Sequence, residues 1–314
     1  MLGHLARLIG LCRPLNLFIV ALLQGLIYFV LVEDICIYTG LTTQLSSLNK
    51  VLLILDACII TACGYLINDY FDVQTDEYHQ TKTSYKAKGI RQNELLGFYL
   101  SLLFVGLAIA FYLAWKQEEW PLLILYPLAN LLLFVYSWKL KGHFIWGNLL
   151  VSFLCTVPIL IILLAERETF LHLKALSLDS YPKISAFWTS IIMWVLFAFF
   201  ATLIREIIKD FEDKEADAEA GLQTFVILKR ERFSKGLLWG LMLVLNSLII
   251  GFTLSLRDST VLMKFGLITI SFLVGLSAWM LYKAKEGENY KRLSQLYKGV
   301  ILLGMLIIPF ILKT

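Results

Sequence analysis

Apolar runs, each about long enough to cross a bilayer, alternate with short polar segments along the whole chain. Nine are legible, near 15–33, 49–68, 95–115, 120–138, 144–165, 187–208, 235–256, 261–282 and 296–312. Pro127 and Pro158 interrupt the fourth and fifth, but bundled membrane helices tolerate proline, so neither run is divided there. The pattern predicts an all-α, polytopic membrane protein with nine transmembrane helices. The longest polar segments, about 69–94, 166–186 and 209–234, are too short for cores of their own, so residues 1–314 read as one transmembrane domain. Pro14 and Asn16 open the first run and no convincing small-residue cleavage site follows it, so that run is expected to be a retained span.

A composition of 59% hydrophobic and 17% charged residues agrees with that class and excludes a water-soluble core. Charge adds direction. With the N-terminus inside, twenty of the 28 Lys and Arg residues fall on the inner side, which predicts a cytoplasmic N-terminus and an external C-terminus. The expected location is the plasma (inner) membrane. The net charge of +4 sits beside anionic headgroups in the inner loops and calls for no nucleic-acid partner. Five cysteines form no CxxC pair and four histidines show no HxxxH spacing, so neither disulfides nor a zinc site are expected.

Six of the ten aspartates form two triplets with one spacing, Asp69, Asp72, Asp76 and Asp210, Asp213, Asp217. Those offsets put three carboxylates on one face of a helix, where they repel. Both triplets close a long apolar run, Val51 to Ile67 and Phe187 to Ile204, where charge is expensive unless something receives it. The topology brings both to one side, so the reading is a shared Mg²⁺ site whose companions are phosphate oxygens. Asn68 stands one turn before Asp72 and offers a neutral amide to the metal or phosphate. The triplets lie 141 residues apart, close to half the chain, which suggests equivalent roles for the second and sixth helices.

At these residues the chain resembles the UbiA superfamily of intramembrane prenyltransferases. Asn68, Asp69, Asp72 and Asp76 match its first signature, and Asp210, Asp213 and Asp217 its second. The resemblance extends to Arg13-Pro14 and Asn16, to Tyr136-Ser137 with Lys141, and to Gly147-Asn148. It implies nine helices around a central cavity, with the aspartates holding Mg²⁺ and the diphosphate of an isoprenoid donor. The stretch Arg205 to Asp213 looks most like the digeranylgeranylglyceryl phosphate synthase branch, which favours a glycerophosphate-type acceptor. The other readings are an aromatic quinone-precursor acceptor and, from another class, a cation-coupled transporter. Transporters place such charges near the bilayer midplane, whereas these lie at span ends.

One departure from the family stands after Asp76, where a run of proline and arginine is replaced by His79 to Ser84. Lys82, Lys86, Lys88 or Arg91 could supply the missing charge as donor contacts. Lys141, Arg205 and Lys209 are further candidates to neutralise the departing pyrophosphate, and Tyr136 to face the allylic cation. Asn16 is expected among the substrate contacts.

Overall fold

The computed structural model describes residues 2–73, 84–176, 181, 183–255 and 260–311. Nine helices among the described residues are long and apolar enough to cross a membrane. They run Pro14–Thr39, Ser47–Phe71, Gln92–Gln117, Trp120–Leu140, Trp146–Ala165, Lys183–Glu212, Glu231–Ser255, Val261–Lys283 and Gly287–Phe310. All nine expected spans are present. The first and sixth run several residues beyond the apolar stretches that announced them, because polar turns extend a helix without raising its hydropathy.

The prolines behave differently from each other. Pro127 lies inside the continuous helix Trp120–Val135. The fifth span, by contrast, is interrupted at Cys155 and Thr156 and resumes at Val157 with Pro158 in its first turn. The fifth run remains one span, Trp146–Ala165, as expected, but it is kinked here: the ring cannot follow a helical turn without a clash, so the helix restarts around it. Two further irregularities are wide π turns, Ile27–Val32 in the first span and Tyr136–Leu140 at the end of the fourth.

The second span packs against the first, third and fourth, and the sixth against the fifth, seventh and ninth. Each is therefore the hub of its half. Where the third and fourth spans cross, Tyr126 fills the space that Gly106 leaves, and a Cβ at Gly106 would meet the Tyr126 hydroxyl at 2.0 Å. That hydroxyl donates to the Leu103 carbonyl at 3.1 Å. Small residues let membrane helices approach this closely, and the buried hydroxyl still finds an acceptor.

The end of the bundle opposite the aspartates is closed by Glu166, which has no exposed surface. Its carboxylate accepts from the backbone N–H of Gln44 at 2.6 Å and of Leu45 at 3.0 Å, from Thr169 Oγ1 at 2.7 Å and from the Tyr28 hydroxyl. Four donors satisfy the carboxylate and tie the loop before the second span, the helix Arg167–Ala175 and the first span together. Nearby, Lys50 reaches Glu33 at 2.5 Å and lies over the Tyr28 ring.

Candidate active site

Both hub helices stop at the second aspartate of their triplet. The second span's last helical residue is Phe71, and Asp72 takes φ −78°, ψ −2°. The sixth span ends at Glu212, and Asp213 takes φ −93°, ψ 2°. Each aspartate N–H still bonds the carbonyl four residues back, Asn68 or Lys209, at 2.9 Å. The expectation of three carboxylates along one helical face is thus corrected. In both triplets the first aspartate lies on the last turn and the second ends the helix. Stacked like charges at the negative end of a helix dipole oppose continuation, which accounts for the break. In the sixth-span triplet the third member, Asp217, sits buried on the short helix Lys214–Glu219. Asp76 and Lys82 lie outside the described residues.

The aspartates collect donors from other elements. Arg13 Nη2 bonds Asp69 Oδ1 at 3.0 Å while its guanidinium lies 4.5 Å over the Tyr65 ring. Arg13 is held at φ 54° immediately before Pro14, a left-handed conformation uncommon outside glycine that aims the side chain across the mouth. Asn16 Nδ2 bonds the Tyr65 hydroxyl at 3.0 Å, so it positions that ring and has no hydrogen bond to an aspartate among the described residues. Asn68 Nδ2 bonds Asp72 Oδ2 at 2.5 Å, and Lys141 Nζ bonds the same oxygen. Asn148 Nδ2 donates to Asp210 Oδ2 at 2.8 Å.

The π turn explains how Lys141 arrives. Its N–H bonds the Tyr136 carbonyl five residues back at 2.8 Å, which widens the end of the fourth span and turns Lys141 onto Asp72. The chain then returns so closely that a Cβ at Gly147 would lie 2.7 Å from the Leu140 carbonyl oxygen. Two short parallel strands, β1 (His143–Phe144) and β2 (Gln223–Thr224), join the segments beyond Lys141 and beyond Asp217.

Tyr136 occupies the seam between the halves, half-buried, within electrostatic reach of Asp72 and Arg13 on one side and Asp210 and Glu206 on the other. Lys209 lies within electrostatic reach of Glu206 on its own helix, of Asp213 just beyond it and of Arg13 before the first span. Arg205 pairs with Glu206. Cys155, at the break in the fifth span, is accessible and faces Thr202, Arg205 and Glu206, so the mouth continues inward between these helices. Cys12, just outside the first span, is buried, and burial together with the Asp69 carboxylate pushes its thiol up to about 11.

Of the loop cations expected near the first triplet, Arg91 turns to another partner and Lys86 points to solvent; Lys82 lies outside the described residues. Arg91 binds Glu94 Oε1 through Nε at 3.0 Å and Nη2 at 2.9 Å and caps the third span. Lys86 is exposed, and the Lys88 carbonyl accepts from Arg7. A local carboxylate three residues away outcompeted the distant ones for Arg91. Sequence reasoning placed Arg13 and Asn148 only as parts of a resemblance and passed over Tyr65 and Glu206. The signal for Arg13 was its position before Pro14 at a span entrance.

Among the described residues no three acidic, histidine or cysteine side chains converge as a metal cage. The donor set nonetheless suits a hard cation. Asp210 accepts from one neutral donor, Asn148, and lies within reach of Asp217 and Glu206 as well as of Lys209, so carboxylates outnumber cations around it. Mg²⁺ bound by few carboxylates, with substrate oxygens and water completing its shell, fits that deficit.

A model of the UbiA prenyltransferase family matches residues 35–299. The chain belongs to that family. Curated relatives of this UbiA protein include the digeranylgeranylglyceryl phosphate synthases of Methanopyrus kandleri and Thermococcus kodakarensis. The first is 32% identical over 54% of this chain and 54% of its own length. The second is 24% identical over 86% of this chain and 91% of its own length. The chain thus aligns over about half the length of the first of these, 54%. Solved structures share the fold. A structure from work on digeranylgeranylglyceryl phosphate synthase in membranes superposes with a TM-score of 0.68 at 20% identity, covering both chains in full. A UbiA homologue from Archaeoglobus fulgidus, bound to DMAPP and Mg²⁺, gives 0.55 at 17% identity, over 96% of this chain and 99% of that one.

Proposed function

We propose that this UbiA protein transfers a polyprenyl group from its diphosphate to a glycerophosphate-type lipid acceptor at the cytoplasmic face of the plasma membrane, with Mg²⁺. The observation that carries the reading is the matched pair of helix ends. Two hub helices break at equivalent aspartates, and Tyr136 and Lys141 lie where the halves meet. The relatives named for glycerophosphate prenylation and the family structure holding DMAPP and Mg²⁺ support the substrate classes.

Asp69, Asp72, Asp210, Asp213 and Asp217, with Asp76 by sequence, would hold the metal, and Asn68 would orient Asp72. Bound Mg²⁺ would neutralise charge on the leaving pyrophosphate. Arg13 and Lys141 already sit on the first triplet and can swing to diphosphate oxygens when those carboxylates turn to the metal. As the allylic C–O bond breaks, its electron pair leaves with pyrophosphate. The acceptor oxygen supplies the pair for the new C–O bond and releases its proton to the aqueous mouth. Tyr136 at the seam offers a π face to the developing cation, and the apolar walls limit capture by water.

The test is release of pyrophosphate from a prenyl diphosphate by purified protein in Mg²⁺ and in EDTA, with a prenylglycerol phosphate or an aromatic acid as acceptor. Mg²⁺-dependent release with transfer to the glycerophosphate supports the reading. Release that ignores EDTA, or transfer to the aromatic acid alone, overturns it.

A further inference from the structure

The seventh span, Glu231–Ser255, carries a face of small and apolar residues that other helices leave open. Phe233, Gly236, Gly240, Val244, Ser247 and Gly251 recur every three or four residues, so they share that face, and all are exposed. A Cβ at Gly236, Gly240 or Gly251 would meet no neighbour within 4 Å. At the aspartate end of the bundle the face opens into a groove of about 550 Å³, lined by Arg230, Arg232, Phe233, Gly236 and Leu237. That volume falls in the range of ligand sites. An apolar trough headed by two arginines is an amphipathic cavity.

The charge at its head is unmatched. No carboxylate lines the groove. Glu231, between the two arginines in sequence, is held by Lys235 at 2.7 Å, and Lys235 also donates to the Ala284 carbonyl at 2.6 Å. Arg230 and Arg232 are exposed and form no ion pair among the described residues. Glu215 and Glu219 on the short helix before them make none with either, and Glu288 in the loop beyond Ala284 pairs with Lys291 at 3.5 Å. Arginine forks above an apolar trough match a phosphate with an acyl chain beneath it. A second copy docked through the same small residues about a twofold axis would bring two pairs of arginines together. Charge therefore decides between occupants that shape alone would admit.

We propose that this groove binds one anionic phospholipid of the bilayer, its phosphate between Arg230 and Arg232 and an acyl chain along Phe233, Gly236 and Gly240. The site stands apart from the aspartates and does not depend on the proposed reaction. Ring contacts nevertheless join it to the mouth. The Phe233 ring centroid lies 6.0 Å from that of Phe225, and Phe225 lies 5.2 Å from Phe144 in β1. β1 follows Lys141, which bonds Asp72, and its partner β2 follows the helix that carries Asp217. A lipid seated on Phe233 thus steadies the segment between the sixth and seventh spans.

The experiment adds phosphatidylglycerol, phosphatidylcholine or inorganic phosphate to detergent-purified protein and reads Tm, with retained lipid counted by native mass spectrometry. Phosphatidylglycerol should raise Tm by a few degrees and stay bound as a single copy. Phosphatidylcholine, without net charge, and free phosphate, without a chain, should do neither. Arg230→Gln combined with Arg232→Gln should abolish the difference between the two lipids. Gly236→Leu, at a position with open space, should weaken it by filling the trough. Lys283→Gln combined with Lys285→Gln removes as much charge from exposed positions nearby and should preserve it. Equal stabilisation by both lipids, or an equal loss in the Lys283 and Lys285 variant, overturns the site and leaves only diffuse surface charge. Free phosphate matching phosphatidylglycerol removes the role of the chain and overturns it as well. So does a dimer that Gly236→Leu converts to monomer, which gives the face to a second copy. An acceptor KM raised by the arginine pair would give the groove to the acceptor and equally defeat the assignment.

Discussion

Asp72 shows how one carboxylate is placed. It accepts from Asn68 and Lys141 and caps the second span, while Asp213 takes the same backbone turn on the sixth. If both serve one metal–diphosphate unit, Asp72→Asn and Asp213→Asn should each nearly abolish transfer. The double variant should then be little worse than either, because groups that act as a unit are not additive. Independent helix ends would give small, additive losses. A Mg²⁺ titration of prenyl transfer decides between them, and near-wild-type activity in either single variant would defeat the shared site. Cys12 tests the neighbouring electrostatics. With its thiol raised to about 11 by burial and Asp69, the thiolate is scarce at neutral pH. Maleimide labelling of a variant retaining only Cys12 should therefore stay slow up to about pH 9, against a free thiol pKa of about 8.5, and accelerate above it. Rapid labelling at pH 7 would show that Cys12 is not buried beside the carboxylate.

At the scale of elements, two contacts set how the helices meet. Gly106 admits Tyr126 between the third and fourth spans, and any Cβ there must displace the ring. Gly106→Ala should lower stability by about 1–3 kcal/mol through overpacking, read as a drop in Tm in detergent. Gly97→Ala, in the same helix with open space around it, should be neutral by comparison. Glu166 at the other end gathers donors from the first span, the following loop and the helix Arg167–Ala175. Glu166→Gln turns an NH₂ group toward N–H and O–H donors and should cost about 1–3 kcal/mol. Because this network is remote from the aspartates, the donor KM should not move. A changed donor KM with an unchanged Tm would contradict that division of labour.

For the whole molecule the testable quantity is orientation. The aspartate end carries most of the basic residues, and contacts among Arg13, Asp69, Asp72, Lys141, Asn148 and Asp210 join the corresponding ends of five spans. A reporter fused after Lys88 or Lys229 should read cytoplasmic and one after Thr314 external. An external reading at Lys88 would place the mouth on the other side of the membrane.

The number and order of spans were legible without coordinates, because crossing a bilayer depends on the length of an apolar run, a local property. The aspartate signatures were legible for a similar reason: their spacing is covalent and repeated. Which groups meet them was not. Arg13 and Lys141 reach Asp69 and Asp72 across 56 and 69 residues, whereas Arg91 turned to Glu94 beside it. The π turn at Tyr136 and the restart of the fifth span after Cys155 both follow from packing between distant segments. Sequence periodicity assigns a residue to a face of its own helix. Only the assembled bundle decides which partner that face meets, because each polar group takes the donor or acceptor that burial leaves within reach.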